Sequence, residues 1–415
     1  MSAWVLDFLI WGLPFTYGVF LDFYKNRDFR DAPPGLIALP GSLCTGILCL
    51  STIYVMPIIN RFPAHKFKIM LVGYVVCVSG LIGAAFATEA SHLVATQGVL
   101  YSVGGSLLYY PMMTYLFEWF VVRKGFAYGV LFSGASTGGV VMPFIIRTLL
   151  ERYGRKVTLI ALAVTFAILI LPCFPFLKPR KPIAQTLVSK RFDTKFLRRS
   201  VFWILFSANL VQATGSFMPF LYLPAFATDL NLKSTYGNLS VALLNGASGP
   251  GMIFFGWLTD RYDLRYAIML SSVGSAISVF LLWGFSQSLA PLLVLACVYG
   301  FLGPSWAALF PRFASVSVGS ESHQVPTVVF CFMGGRGTGN VLSAPISAAL
   351  IHPWNITNKH PYGYGLKGYG PLIVFTGVSL LTSSLAVFHY YIDLSLNLRI
   401  RRPMHRVDHG KKSLI

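Results

Sequence analysis

The sequence is poor in acid and poor in charge altogether. Of its 415 residues only 14 are Asp or Glu, and all charged residues together make up 11%. A soluble domain carries about a quarter charged residues. With 55% hydrophobic residues and a mean hydropathy of +0.65, the chain has more apolar sequence than an interior absorbs, and a lipid-facing surface accounts for it. Cysteine is also scarce. Cys44, Cys49, Cys77, Cys173, Cys297 and Cys331 all fall in apolar runs, without metal-ligand spacing. They read as small buried packing residues, not as disulfides or a metal site. No loop of the form GxxxxGK[ST] occurs, which disfavours direct ATP drive. No His/Asp/Glu cluster lies within the apolar runs, which disfavours a membrane enzyme, and the sequence calls for no cofactor. The first apolar run continues past any plausible cleavage site, so it does not read as a signal peptide.

What the chain does have in excess is Lys and Arg, 33 in all, for a net charge of +19. Such a balance could suggest nucleic acid. These residues instead lie in short gaps between apolar runs, the pattern of membrane flanks, so no nucleic-acid partner is expected. A membrane span needs about 20 apolar residues. Twelve are expected, near 3–21, 36–58, 69–88, 93–114, 125–146, 157–177, 201–224, 236–258, 266–286, 291–311, 325–350 and 371–392. The fold class is therefore an all-α membrane protein. The gap Lys178–Arg199 is long, basic and contains two prolines. It divides the spans six and six: 1–177 is a first half, 178–200 a linker, 201–393 a second half and 394–415 a basic tail.

Charge also orients the chain. The even-numbered gaps and the tail hold 22 Lys and Arg, against ten in the odd-numbered gaps. Positive charge favours the cytoplasm, which puts both termini, linker and tail inside. The gap Arg147–Lys156 has four basic residues on the outer side and runs against this rule. The sequon Asn355-Ile-Thr357 falls in an outer gap and agrees with it. A multi-pass protein, in the plasma membrane, is the expected setting.

The halves echo each other. Asn60-Arg61 follows span 2, and Asp260-Arg261 follows span 8 within Gly256-Trp-Leu-Thr-Asp-Arg-Tyr-Asp-Leu-Arg265. Two parallel six-helix halves are the architecture of major facilitator transporters, and Gly256-x-Leu-x-Asp260-Arg261 with Arg265 resembles their signature loop. The first copy has Asn60 where an Asp is usual. Between spans 4 and 5, Tyr115-Leu-Phe-Glu-Trp-Phe-Val-Val-Arg-Lys-Gly-Phe-Ala-Tyr-Gly129 runs on to Gly134, Gly138 and Gly139. This hinge resembles the helix 4–5 signature of the monocarboxylate transporter family. Trp11–Phe20, Gln97–Gly105, Tyr222-Leu-Pro224, Arg336-Gly-Thr-Gly-Asn340 and Tyr364–Pro371 resemble that family's fungal branch more closely. The matches run in order along nearly the whole chain.

The resemblance implies a secondary transporter working by alternating access, with a small organic solute such as a monocarboxylate or a larger heteroaromatic anion. Protons are the implied coupling partner and lipid the surrounding one. It also implies gating by Asp260, Arg261 and Arg265, as a cytosolic lock in which Asp260 pairs with a basic residue or caps a helix end; the other reading is a solvated loop. Glu118 and Arg123 of the hinge are placed with them. Glycines spaced four apart let helices approach closely, as static packing or as a smooth rocking contact. The branch it resembles carries a polar tail and a longer first helix, so the chain reads as N-terminally shortened.

Charges inside spans are expensive and therefore informative. Arg336 sits mid-span among glycines. Its fork suits an organic carboxylate; the other reading is a structural arginine paired to a carboxylate or to backbone carbonyls. Asp7, early in span 1, is the candidate proton carrier, since removal from water favours a carboxyl's neutral form. The alternative is that it reaches the inner water. Tyr17, Tyr110, Asn209, Gln212, Asn245 and Trp306 complete the candidate substrate-binding set, with helix–helix hydrogen bonding as their alternative role.

Two departures from animal monocarboxylate carriers matter. Those have a lysine near the outer end of helix 1, where Tyr17–Asp22 has none. They have an acid and an arginine on helix 8, where Leu244–Met252 has Asn245 and no arginine. A non-transporting nutrient sensor on the same fold is the alternative function.

Overall fold

The computed structural model describes residues 1–30, 32–120, 123–180, 195–319, 324–351 and 364–390. Most of the linker, the sequon and the tail lie outside them. Among the described residues the chain is helical, with no strand. Among these residues eight helices are long and apolar enough to cross a membrane, and nine if the bent pair Leu39–Leu50 and Thr52–Arg61 is one span. One of the eight, Lys124–Phe176, is two spans joined end to end. Tyr101–Trp119 and Val325–Ile351 are also of spanning length, with their apolar character diluted by tyrosine, serine, glycine and Arg336. That makes twelve.

In order they are span 1 (Ser2–Phe23), span 2 (Pro34–Leu50 with Thr52–Arg61), span 3 (Lys66–Ala85) and span 4 (Tyr101–Trp119, led in by Ala90–Leu93 and Val94–Leu100). Spans 5 and 6 are 124–153 and 155–176. Span 7 is Ser200–Ser216 with Met218–Asp229, span 8 Ser234–Arg261 and span 9 Leu264–Ile277 with Ser278–Trp283. Span 10 is Leu289–Leu302 continuing to Val318, span 11 Val325–Ile351 and span 12 Gly370–Ser383.

The gap expected at Arg147–Lys156 is helical. Gly154 alone breaks it, at φ 73°, a left-handed backbone that favours glycine. Three of its four basic residues, which run against the charge rule, are locally anchored. Arg147 pairs with Glu151 at 2.8 Å, Arg155 with Asp28 at 2.7 Å, and Lys156 sits 4.7 Å from the Phe86 ring centre. The cysteine reading also needs a correction. Cys44, Cys49, Cys77 and Cys173 are buried, but Cys297 is exposed and Cys331 half-buried.

Bends in the spans leave backbone carbonyls without their helical partner, and buried tyrosines supply one. Pro14 has no N–H for the carbonyl of Ile10, which accepts from Tyr101 Oη at 3.1 Å. At the 40° bend of span 2 the carbonyl of Leu48 accepts from Tyr110 Oη at 2.6 Å and from Ser51 Oγ at 2.8 Å. In span 7, Ser216 O accepts from Tyr299 Oη at 2.7 Å. Span 4 thus braces span 1 as span 10 braces span 7, an echo between the halves.

The halves meet along spans 5 and 8 and along spans 2 and 11. One apolar cluster fills the first half and continues into the second at the end carrying residue 1, the hinge end. A separate cluster, around Trp283, Leu295 and Leu372, fills the far part of the second half. Phe144, Ile168, Phe285 and Leu281 point outward, each more than half exposed, as a lipid-facing wall requires.

Candidate functional site

A cavity of about 130 Å³ lies between the halves, lined by spans 1, 2, 4 and 5 on one side and 7, 8, 10 and 11 on the other. Its polar lining is Asp7, Thr45, Tyr109, Ser136, Asn245, Ser248, Arg336 and Asn340; its aromatic lining is Trp11, Phe15, Phe132, Phe217, Phe220 and Phe310. Trp11, Phe15, Thr45, Phe217, Phe220, Arg336 and Asn340 are half-buried, whereas Asp7, Phe132, Met252, Phe310 and Met333 are buried. The cavity therefore narrows towards the hinge end.

Asp7 closes the narrow end. It is fully buried. Its Oδ1 accepts from Tyr109 Oη at 2.9 Å and its Oδ2 from the Ala135 backbone N–H at 2.6 Å. Spans 1, 4 and 5 meet on this one carboxyl. Gly134 allows the approach: a Cβ there would stand 2.6 Å from Trp4 O and 3.1 Å from Asp7 Oδ2.

Arg336 stands on the opposite wall. Its guanidinium donates to Gln212 Oε1 at 3.0 Å, and Gln212 Nε2 donates to Gly303 O at 3.1 Å. Among the described residues no carboxylate lies within ion-pair distance of Arg336. One turn earlier on span 7, Asn209 donates to Phe332 O at 2.8 Å and accepts from Trp306 Nε1 at 3.1 Å. The two amides of span 7 thus hold spans 10 and 11 from behind.

Of the substrate-binding candidates, the structure brings Arg336 and Asn245 to the cavity, along with Asp7. Asn245 also donates to Val241 O at 3.2 Å and lies against Gly139. Asn209, Gln212 and Trp306 sit behind the wall. Tyr110 braces the span 2 bend, and Tyr17 donates to Ile37 O at 2.5 Å. The sequence reading missed Tyr109, Asn340 and the Ser248–Ser136 hydrogen bond, 2.7 Å, which crosses between the halves. Asn340 had a signal, since it lies four residues after Arg336 on the same helical face.

At the hinge end the halves are joined by hydrogen bonds and close backbone contacts. Asp260 accepts from the backbone N–H groups of Gly125 at 2.9 Å and Phe126 at 2.8 Å. An acid of one half thus caps the first turn of span 5 in the other, where the helix dipole favours negative charge. A Cβ on Gly125 would meet Gly256 O and Thr259 Oγ1 at 2.5 Å. The glycines of span 5 divide by face: Gly125, Gly129 and Gly139 lie against span 8, Gly134 and Gly138 against span 1. Arg261 sits 5.5 Å from the Trp257 ring centre. Arg265 pairs with Asp263 at 2.9 Å, and that guanidinium holds the Asp263 carboxyl below its usual range. Glu118 pairs with Lys66 at 3.3 Å and accepts from Arg180 N at 3.2 Å, which ties the start of the linker to the hinge. Arg123 is the exposed residue just before span 5.

The sequence profile of the Major Facilitator Superfamily matches residues 2–344. The chain belongs to the major facilitator superfamily. The MFS-type transporter pynF of Aspergillus niger is 26% identical over 375 residues, covering 90% of this chain and 84% of the relative. Monocarboxylate transporter 12 of Homo sapiens is 25% identical over 348 residues, covering 75% of this chain and 66% of the relative. The solved structure of FucP, a major facilitator transporter in the outward conformation, shares the fold with a TM-score of 0.67 at 12% identity, over 94% of this chain and 98% of that one.

For this major facilitator protein the Asp260 cap makes a direct prediction. Losing an N-cap costs about 0.5–2 kcal/mol, a shift of roughly 2- to 30-fold in an equilibrium. In Asp260→Ala, hydrogen exchange of the Gly125 and Phe126 amides accelerates by that factor. Unchanged exchange there would mean that the cap does not hold the halves together.

Proposed function

We propose that the protein is a secondary transporter of a small organic anion, coupled to protons and working by alternating access. The carrying observation is a cavity between the halves, with a buried carboxyl at its closed end and, on its wall, a guanidinium without a carboxylate partner among the described residues. Arg336 offers its remaining N–H groups to the anion. Asp7 takes the proton. Its Oδ2 faces a backbone N–H, which only donates, whereas its Oδ1 faces a hydroxyl that can turn and accept. The proton therefore enters on Oδ1, and Tyr109 turns to receive the hydrogen bond.

Rocking the halves breaks the Asp260 cap and parts span 5 from span 8, opening the hinge end. The balance of basic residues supports a cytosolic side for that end and both termini. A thermal-shift screen tests the anion reading. A bound ligand raises stability by RT ln(1 + [L]/Kd). Organic acids raise the melting temperature of the purified protein and their methyl esters do not; equal shifts from acid and ester would remove the anion from the account.

A further inference from the structure

Resting on the reading of the cavity as an organic-anion site, we infer a second recognition point. Asn340 accepts a hydrogen bond from a donor on the substrate, about a ring's width from its carboxylate, so the substrate class is a single-ring organic acid with a distal hydroxyl or N–H.

Three observations carry this. First, the Asn340 side-chain oxygen has no hydrogen-bond partner among the described residues and is closed off from solvent, and a half-turn of the amide brings it to the cavity that the side chain lines. Leaving such an acceptor unpaired is costly, and a ligand donor satisfies it. Second, Asn340 and Arg336 line the same cavity four residues apart on span 11, on one helical face. At 1.5 Å rise per residue their backbones lie about 6 Å apart along the axis, close to the distance between opposite substituents of a six-membered ring. Third, the size and walls suit one ring. A dry cavity of about 150 Å³ holds a benzene, and this one measures about 130 Å³ with Trp11, Phe15, Phe217 and Phe220 on its walls.

Isothermal titration of the purified full chain with benzoate, 4-hydroxybenzoate and 4-methoxybenzoate tests the assignment. The wild type binds the 4-hydroxy acid about tenfold or more tighter than the 4-methoxy acid, the discrimination expected where a buried acceptor is left unpaired. In Asn340→Leu that ratio falls to about one. If the variant does not fold, the wild-type series alone decides: equal affinities, or a preference for the methoxy acid, overturn the inference. If benzoate binds in an Arg336-dependent way while the hydroxyl is ignored, this inference fails and the anion site stands. If none of the three acids binds, the anion reading falls with it.

Discussion

Arg336→Gln weakens binding of the organic anion by roughly 10- to 150-fold, the loss expected for a charge-assisted hydrogen bond of about 1.5–3 kcal/mol. Gln cannot supply the charge, and its one amide cannot replace a fork that serves Gln212 and the substrate together. Arg336→Lys falls between the two. It keeps a point charge but loses the paired donors, and a loss of about tenfold follows if one of two hydrogen bonds goes. Equilibrium binding to the purified variants reads both numbers. Unchanged affinity in Arg336→Gln would take Arg336 out of the site and leave it as a brace for span 7. The variant also leaves Gln212 Oε1 without its donor, so its melting temperature is recorded alongside to separate lost fold from lost binding.

Asp7→Asn removes concentrative uptake while sparing exchange. The substitution is conservative by geometry: an Asn oxygen accepts from the Ala135 N–H, and its amide group donates to Tyr109 Oη. The packing of spans 1, 4 and 5 therefore survives, and what goes is the proton site. With one proton carried per anion, a gradient of two pH units supports about hundredfold accumulation in the wild type, since each 1.4 kcal/mol is tenfold. The variant accumulates nothing above equilibrium, yet still exchanges internal for external substrate. If Asp7→Asn still concentrates substrate in response to a pH gradient, Asp7 is not the proton carrier.

The twelve spans and the hinge were legible because lipid demands long apolar runs and polar ends, and both are one-dimensional patterns. The ends of the spans were less so. The helices run through Arg147–Lys156 up to a single glycine at φ 73°, which suffices as the turn, and the Arg155–Asp28 pair beside it forms only in the fold. The site was legible in part. Arg336 and Asp7 announce themselves as charges inside spans. Which tyrosine of the Tyr109-Tyr110 pair faces the cavity depends on the rotation of span 4, which an all-round apolar helix does not reveal. Asn209 and Gln212 look like cavity residues by type, but their partners are Phe332 O, Trp306 and Gly303 O, contacts from distant spans. The glycines of span 5 share a spacing but serve two faces, a distinction set by where spans 1 and 8 pack.

Protein-dependent uptake tests the central claim most directly. Purified protein in liposomes with an acidic exterior is given a panel of radiolabelled organic acids, with protein-free liposomes as the blank. The account predicts saturable accumulation above the blank that a protonophore collapses. Acids that bind the purified protein yet never accumulate above the blank would contradict it and favour a sensor that binds without transporting.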